Sequence, residues 1–204
     1  MTRIKIDHLT HFVLLTSLAA LALSRSGLAQ EIVLELDSAQ TQVNFTLGDI
    51  LHTVHGTFAL KQSRLKFDPM TGHASGLVIV ESGSGQSGSD GRDKKMHKDV
   101  LESSRYPEIT FTPVLVHGHV ALQGDSEIEV VGKFNLHGFD HEITLKTHLH
   151  IAGEQLIADA HFPVPYVKWG LKNPSTFILR VSDTVSIDLR AVGRLTRPAD
   201  SAIP

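Results

Sequence analysis

The chain has 204 residues, a formal net charge of −3, 41% hydrophobic and 20% charged residues, and no cysteine. Without cysteine there is no disulfide framework, thiolate metal site, cysteine nucleophile or lipidated cysteine, so stability must come from burial. The acidic balance weighs against nucleic acid or an anionic membrane surface as the main partner, since both select basic patches.

Residues 1–29 read as a secretory leader. Arg3 and Lys5 precede an apolar stretch from Phe12 to Leu23, and Gly27-Leu28-Ala29 supplies the small residues of a cleavage site. The stretch is too short to span a bilayer as a helix, which needs about 20 residues. Cleavage after Ala29 removes Arg3, Lys5 and Arg25 against Asp7 and moves the formal net charge to −5. The product, 30–204, is expected to be one domain, periplasmic or secreted, with no stable membrane anchor.

From there the sequence alternates apolar and polar residues, the period of a half-buried strand. Val43, Phe45 and Leu47 share one face, as do Val54, Phe58 and Leu60 with Gly56 between them. Strands are expected at Ser75 to Val80 and Ile109 to His117. Further on, Ile128, Val130, Phe134 and Leu136 fall in phase, then Ile143, Leu145, Leu149 and Ile151. Leu156 to Val164, Phe177 to Val181, and Val185, Ile187, Leu189 and Ala191 complete the series. Short turns such as Asp68-Pro69-Met70-Thr71-Gly72 and His137-Gly138 join them, which antiparallel strands allow and parallel ones do not. The one expected helix is near 90–103, where Met96, Val100 and Leu101 fall on one side. The composition of Ser82 to Asp90 reads as a flexible loop. The fold expected is an all-β antiparallel barrel or sandwich.

Candidate chemistry is sparse. Gly83, Gly85 and Gly88 spell G-x-G-x-x-G, but a dinucleotide fingerprint needs a βαβ unit and the flanking segments alternate as antiparallel strands do. No cofactor is therefore assigned. His117 and His119, and His148 and His150, are pairs two residues apart that could share a metal on one strand face. His148 and His150 lie opposite Leu145 and Leu149, so they are expected in solvent, and no metal is assigned. G-x-S-x-G and H-E-x-x-H are absent, and no nucleophile or general base is nominated.

The ordered pieces Asp37-Ser38, Val43-Asn44-Phe45, Val54-His55-Gly56-Thr57-Phe58, Leu65-Lys66-Phe67-Asp68-Pro69 and Gly91-Arg92-Asp93 lead to Tyr106-Pro107-Glu108-Ile109-Thr110-Phe111. Gly132 to Gly138 and Ile143-Thr144-Leu145 follow. Together they resemble the YceI-like family. The resemblance implies an exported lipocalin-like barrel of about eight strands that binds a polyisoprenoid or other long-chain lipid inside, for transport or storage, with no enzymatic activity. Two places depart from the family pattern: the glycine-serine loop, and Pro163 to Pro174, whose prolines imply a rigid extended loop. Candidate ligand contacts are Phe45, Phe58, Phe111, Phe134, Phe162, Tyr166, Trp169 and Phe177. A filled barrel serving as an interaction module is the competing reading, and a histidine-dependent metal protein or enzyme the third.

Overall fold

The computed structural model describes residues 31–48, 53–176 and 180–197. The leader and Phe177 lie outside the described residues. The chain forms ten strand segments: β1 (Ile32–Leu36), β2 (Gln42–Gly48), β3 (Thr53–Phe58), β4 (Leu60–Phe67), β5 (Ala74–Glu81), β6 (Glu108–His117), β7 (Gly124–Leu136), β8 (Phe139–Ala152), β9 (Gln155–Val164) and β10 (Val185–Thr196). Among the described residues there is one short α-helix, α1 (Asp90–Lys95), which continues into a wider turn at Met96–Val100.

All pairings are antiparallel, and they close. β10 pairs with β9 from Val185 to Arg194. Its other edge pairs first with β2, as in Ile187 with Phe45, and then with β1, as in Leu195 with Leu34. β1 and β2 are thus one broken strand, and β3 and β4, which pair with β2 and β1 respectively, are another. Counted as continuous staves, the ten segments make an eight-stranded up-and-down barrel. That is the size at which side chains fill the interior or leave room for one small ligand.

The connections sort onto two ends. One carries the turns between β4 and β5, β6 and β7, and β8 and β9. Its interior is packed by Ile32, Ile128, Leu149, Ile151, Leu156 and Leu195. The other end, which we call the helix end, carries α1, the His137-Gly138 turn and the 165–184 connection. Because β5 and β6 lie side by side and antiparallel, α1 spans a hairpin and not a parallel crossover, so the glycine spacing before it belongs to no dinucleotide unit.

The structure corrects three expectations. The glycine-serine stretch is pinned, not loose. Ser82 is 1% exposed, and Gln86 exchanges two backbone hydrogen bonds of 2.9 Å with Thr57. The Ser84 hydroxyl accepts from the Ala59 N–H at 2.8 Å. The small residues are there for close packing: a Cβ on Gly85 would meet Phe58 at 2.6 Å and Met96 at 2.7 Å. Second, Pro163 and Val164 lie within β9, and the chain then coils tightly instead of extending. Trp169 N–H donates to Pro165 at 3.1 Å and Leu171 N–H to Tyr166 at 3.0 Å. Pro163 is tolerated because the pairing with β8 has already ended at Ala160. Third, of the strand expected at Phe177 to Val181, the described Arg180 and Val181 belong to no named strand.

Gly56 shows how tightly the wall is drawn. A Cβ there would sit 2.3 Å from the Phe45 ring and 2.4 Å from the Gln86 carbonyl oxygen. Gly56→Ala is expected to destabilise the protein by about 1–3 kcal/mol, the usual cost of overpacking, measured as a lowered urea midpoint. An unchanged midpoint would contradict this packing.

Candidate functional site

The alternation that makes the strands also makes the interior. Inward side chains of β7 to β10 come from every second residue, and the outward ones are largely polar or charged. Two abutting cavities occupy the axis. The inner one, about 260 Å³, is walled by residues such as Val80, Phe111, Leu145, Ala158, Ala160 and Leu189. The second, about 420 Å³, lies toward the helix end and is walled by Phe45, Leu47, Met96, Leu101, Tyr166 and Val185 among others. Phe58, Ile109 and Ile187 belong to both walls. For comparison, an engineered cavity of about 150 Å³ lined by Leu, Ile and Phe stays dry and takes up benzene.

Six of the eight expected contacts face this interior. Phe45 and Tyr166 line the outer cavity, Phe111, Phe134 and Phe162 the inner one, and Phe58 both. Phe45 and Phe58 pack with ring centroids 5.4 Å apart, and Phe134 meets Phe162 edge-on at 6.2 Å. The Tyr166 hydroxyl donates to the Ser182 carbonyl at 2.7 Å, and burial pushes its pKa up to about 12. Trp169 stands apart and lines neither cavity. It is half-buried, stacked on His141 with centroids 4.0 Å apart and the rings nearly parallel, and its ring centroid lies 5.8 Å from that of Phe134 at a tilt of 42°. It plugs the barrel end over β7 and β8.

Sequence reasoning that weighted aromatics passed over the aliphatic and small residues that make most of the wall. Leu145, Leu149, Ala158, Ala160 and Ala191 carry the alternation signal, and the alanines are where space is left. Arg92, Lys95 and Ser87 in the outer wall belong to the helix and to the loop before it, and no strand periodicity marks them.

The outward face of β8 holds His148 and His150. His148 Nδ1 lies 2.8 Å from Glu127 and His150 Nδ1 2.7 Å from Asp125, both across the β7–β8 ladder and exposed. Among the described residues, no three histidine or acidic side chains converge as a metal site would require. His141 differs, because it points inward beneath Trp169 and its Nε2 is buried without a hydrogen-bond partner.

A sequence-family model for the YceI-like domain matches residues 34–192. The chain belongs to the YceI-like family. Solved structures agree on the fold. BcnA from Burkholderia cenocepacia superposes with a TM-score of 0.63 at 19% identity, covering 77% of this chain and 98% of its own. A polyisoprenoid binding domain from Saccharophagus degradans gives 0.62 at 15% identity, covering 80% and 98%. The Campylobacter jejuni YCEI protein gives 0.58 at 16% identity, covering 71% and 86%. No curated protein matches the chain.

Within this YceI-like barrel, the plug position of Trp169 has a measurable consequence. Trp169→Ala is expected to cost about 2–3 kcal/mol, below the roughly 3–5 kcal/mol of a fully buried ring because Trp169 keeps partial exposure. The loss should be the same with and without lipid. A loss confined to the lipid-bound protein would place the ring on the ligand instead.

The histidines should titrate apart. Burial lowers the pKa of His141 from the ordinary 6.5, and the hydrogen bond that His148 donates to Glu127 raises that of His148. A depressed pKa means that the unfolded state binds more protons, so the His141 contribution is present above 6.5 and is lost as pH falls through its folded value. The His148 contribution has the opposite sign: present below 6.5 and lost as pH rises through its folded value. An NMR titration should show His141 below and His148 above 6.5, and the reverse order would contradict the assigned environments.

Proposed function

We propose that this YceI-like protein is an exported carrier that holds a long apolar chain, a polyisoprenoid or related lipid, along the barrel axis and does no chemistry on it. The observation that carries the reading is the pair of abutting cavities, whose walls are almost wholly hydrocarbon. Each ligand methylene moved from water into such a space gains about 0.8 kcal/mol, so a long chain is retained without many polar contacts even after the cost of ordering it. The polyisoprenoid binding domain from Saccharophagus degradans, which shares the fold, supports this ligand class. The leader supports export to a periplasmic or extracellular space, where a carrier would store or move a lipid across water.

Blocking the space tests the reading. Ala160 projects into the inner cavity, so Ala160→Phe should fill it at a stability cost of about 1–3 kcal/mol. The wild-type protein is expected to retain a radiolabelled polyprenol through gel filtration, and the folded variant to lose most of it. Equal retention by a folded Ala160→Phe protein would overturn the proposed site.

A further inference from the structure

We propose that the ligand is an anionic single-chain amphiphile, a carboxylate or a phosphate monoester, bound with its head at the helix end against Arg92 and Lys95. The proposal rests on the reading above, that the cavities hold a lipid chain, and adds the chemistry and the orientation of its head.

The two cavities differ in what charge they carry. The inner wall includes one charged side chain, Lys66, and that ammonium is already paired with Glu31 at 2.9 Å. The outer wall includes Arg92, Lys95 and Ser87. Arg92 and Lys95 are three residues apart on α1, so they lie on one side of the helix. Neither has a carboxylate within ion-pair distance among the described residues. Arg92 donates from Nε to the Ser87 hydroxyl and from one terminal nitrogen to the Ser87 carbonyl, both at 2.8 Å. Its other terminal nitrogen has no hydrogen-bond partner among the described residues. Lys95 donates one N–H to the Pro174 carbonyl at 2.9 Å and keeps two more.

None of the nearby acids pairs directly with either cation among the described residues. Asp93 accepts from both the backbone N–H and the hydroxyl of Ser87, which also orients that hydroxyl for Arg92. Asp183 accepts from the Asn173 amide at 2.6 Å. Asp90 sits in the first turn of α1. Arg92 is therefore held directly by neutral oxygens, with the Asp93 carboxylate one hydroxyl away through Ser87, and Lys95 stands on the same rim. An apolar tunnel that ends at two exposed cations matches a molecule with a long hydrocarbon tail and a negative head. The tail would enter toward Phe58 and Ile187, and the head would remain in water beside the helix. Arg92 offers the forked donors that carboxylate and phosphate oxygens accept, and Lys95 adds a point charge.

The test compares three molecules with one hydrocarbon chain: geranylgeraniol, geranylgeranoic acid and geranylgeranyl monophosphate. Each is titrated at low salt against the whole protein and against the double variant R92Q/K95M. Both substitutions are on the exposed rim, so the variant should fold, and its thermal midpoint checks this. We expect the wild type to bind at least one anion about 5-fold more tightly than the alcohol, about 1 kcal/mol for exposed charges. The preference should fade as salt is added. In the variant the ratio of anion to alcohol affinity should fall to about one, whatever the alcohol affinity itself. Preference for either anion supports the proposal, and the stronger of the two identifies the head. Equal affinity for alcohol and anions in the wild type, or an anion preference that survives in the variant, overturns it while leaving the lipid-binding reading intact. Failure of all three to bind overturns that reading itself.

Discussion

The barrel depends on one strand satisfying three neighbours. β10 gives its whole length to β9 on one side and divides the other side between β2 and β1. If that divided edge were unpaired, the sheet would be an open meander with two exposed edges, a form prone to pairing with other chains. Closing it satisfies the backbone groups within the wall and leaves each strand one inward face. The break at Asp37–Thr41 makes this possible. Asp37 accepts from the N–H groups of Ala39 and Gln40, and its own N–H donates to Val192 at 2.8 Å, so the first strand turns a corner while staying on β10.

Closure alone does not make a cavity, because an eight-stranded ring can be filled by its own side chains. Here the small residues decide. Ala158, Ala160 and Ala191 occupy inward positions on β9 and β10, where a leucine or phenylalanine at the same phase would reach across the axis. Large residues gather at the ends instead. The Ile32–Leu195 cluster closes one end, and Val100, Leu101, Leu136, Val164, Tyr166 and Leu171 pack the helix end. The small-residue waist leaves the inner cavity open, and the outer cavity continues it toward α1.

Much of this was legible in the sequence, for a physical reason. In β7 to β10 the two-residue alternation runs unbroken from turn to turn, so the inward phase of Ile128, Leu145, Leu149, Ile187 and Leu189 follows directly. Where the alternation breaks, the reading fails. β4 carries a register shift between Leu60 and Gln62, and β6 another between Pro113 and Leu115. Each bulge moves the inward phase by one residue, so Leu60 is followed inward by Leu65 and Phe67, and Pro113 by Val116. The polar run Lys61-Gln62-Ser63-Arg64 hid β4, and the unalternating Ile32-Val33-Leu34 hid β1. The glycine-serine loop misled because composition reports freedom in the unfolded chain, whereas Gly85 is required by the nearness of Phe58 and Met96. The aromatic residues share the interior wall with more aliphatic ones, and Trp169 packs on Phe134 and His141 outside both cavities.

Native mass spectrometry of the mature protein, released from its host without detergent and paired with an organic extract of the same sample, tests the central claim most directly. The account predicts a species heavier than the polypeptide by one ligand, and the extract should hold a long-chain amphiphile of that mass. A bare polypeptide mass that persists after exposure to excess geranylgeraniol, geranylgeranoic acid and geranylgeranyl monophosphate would show that the barrel carries no lipid and would contradict the account.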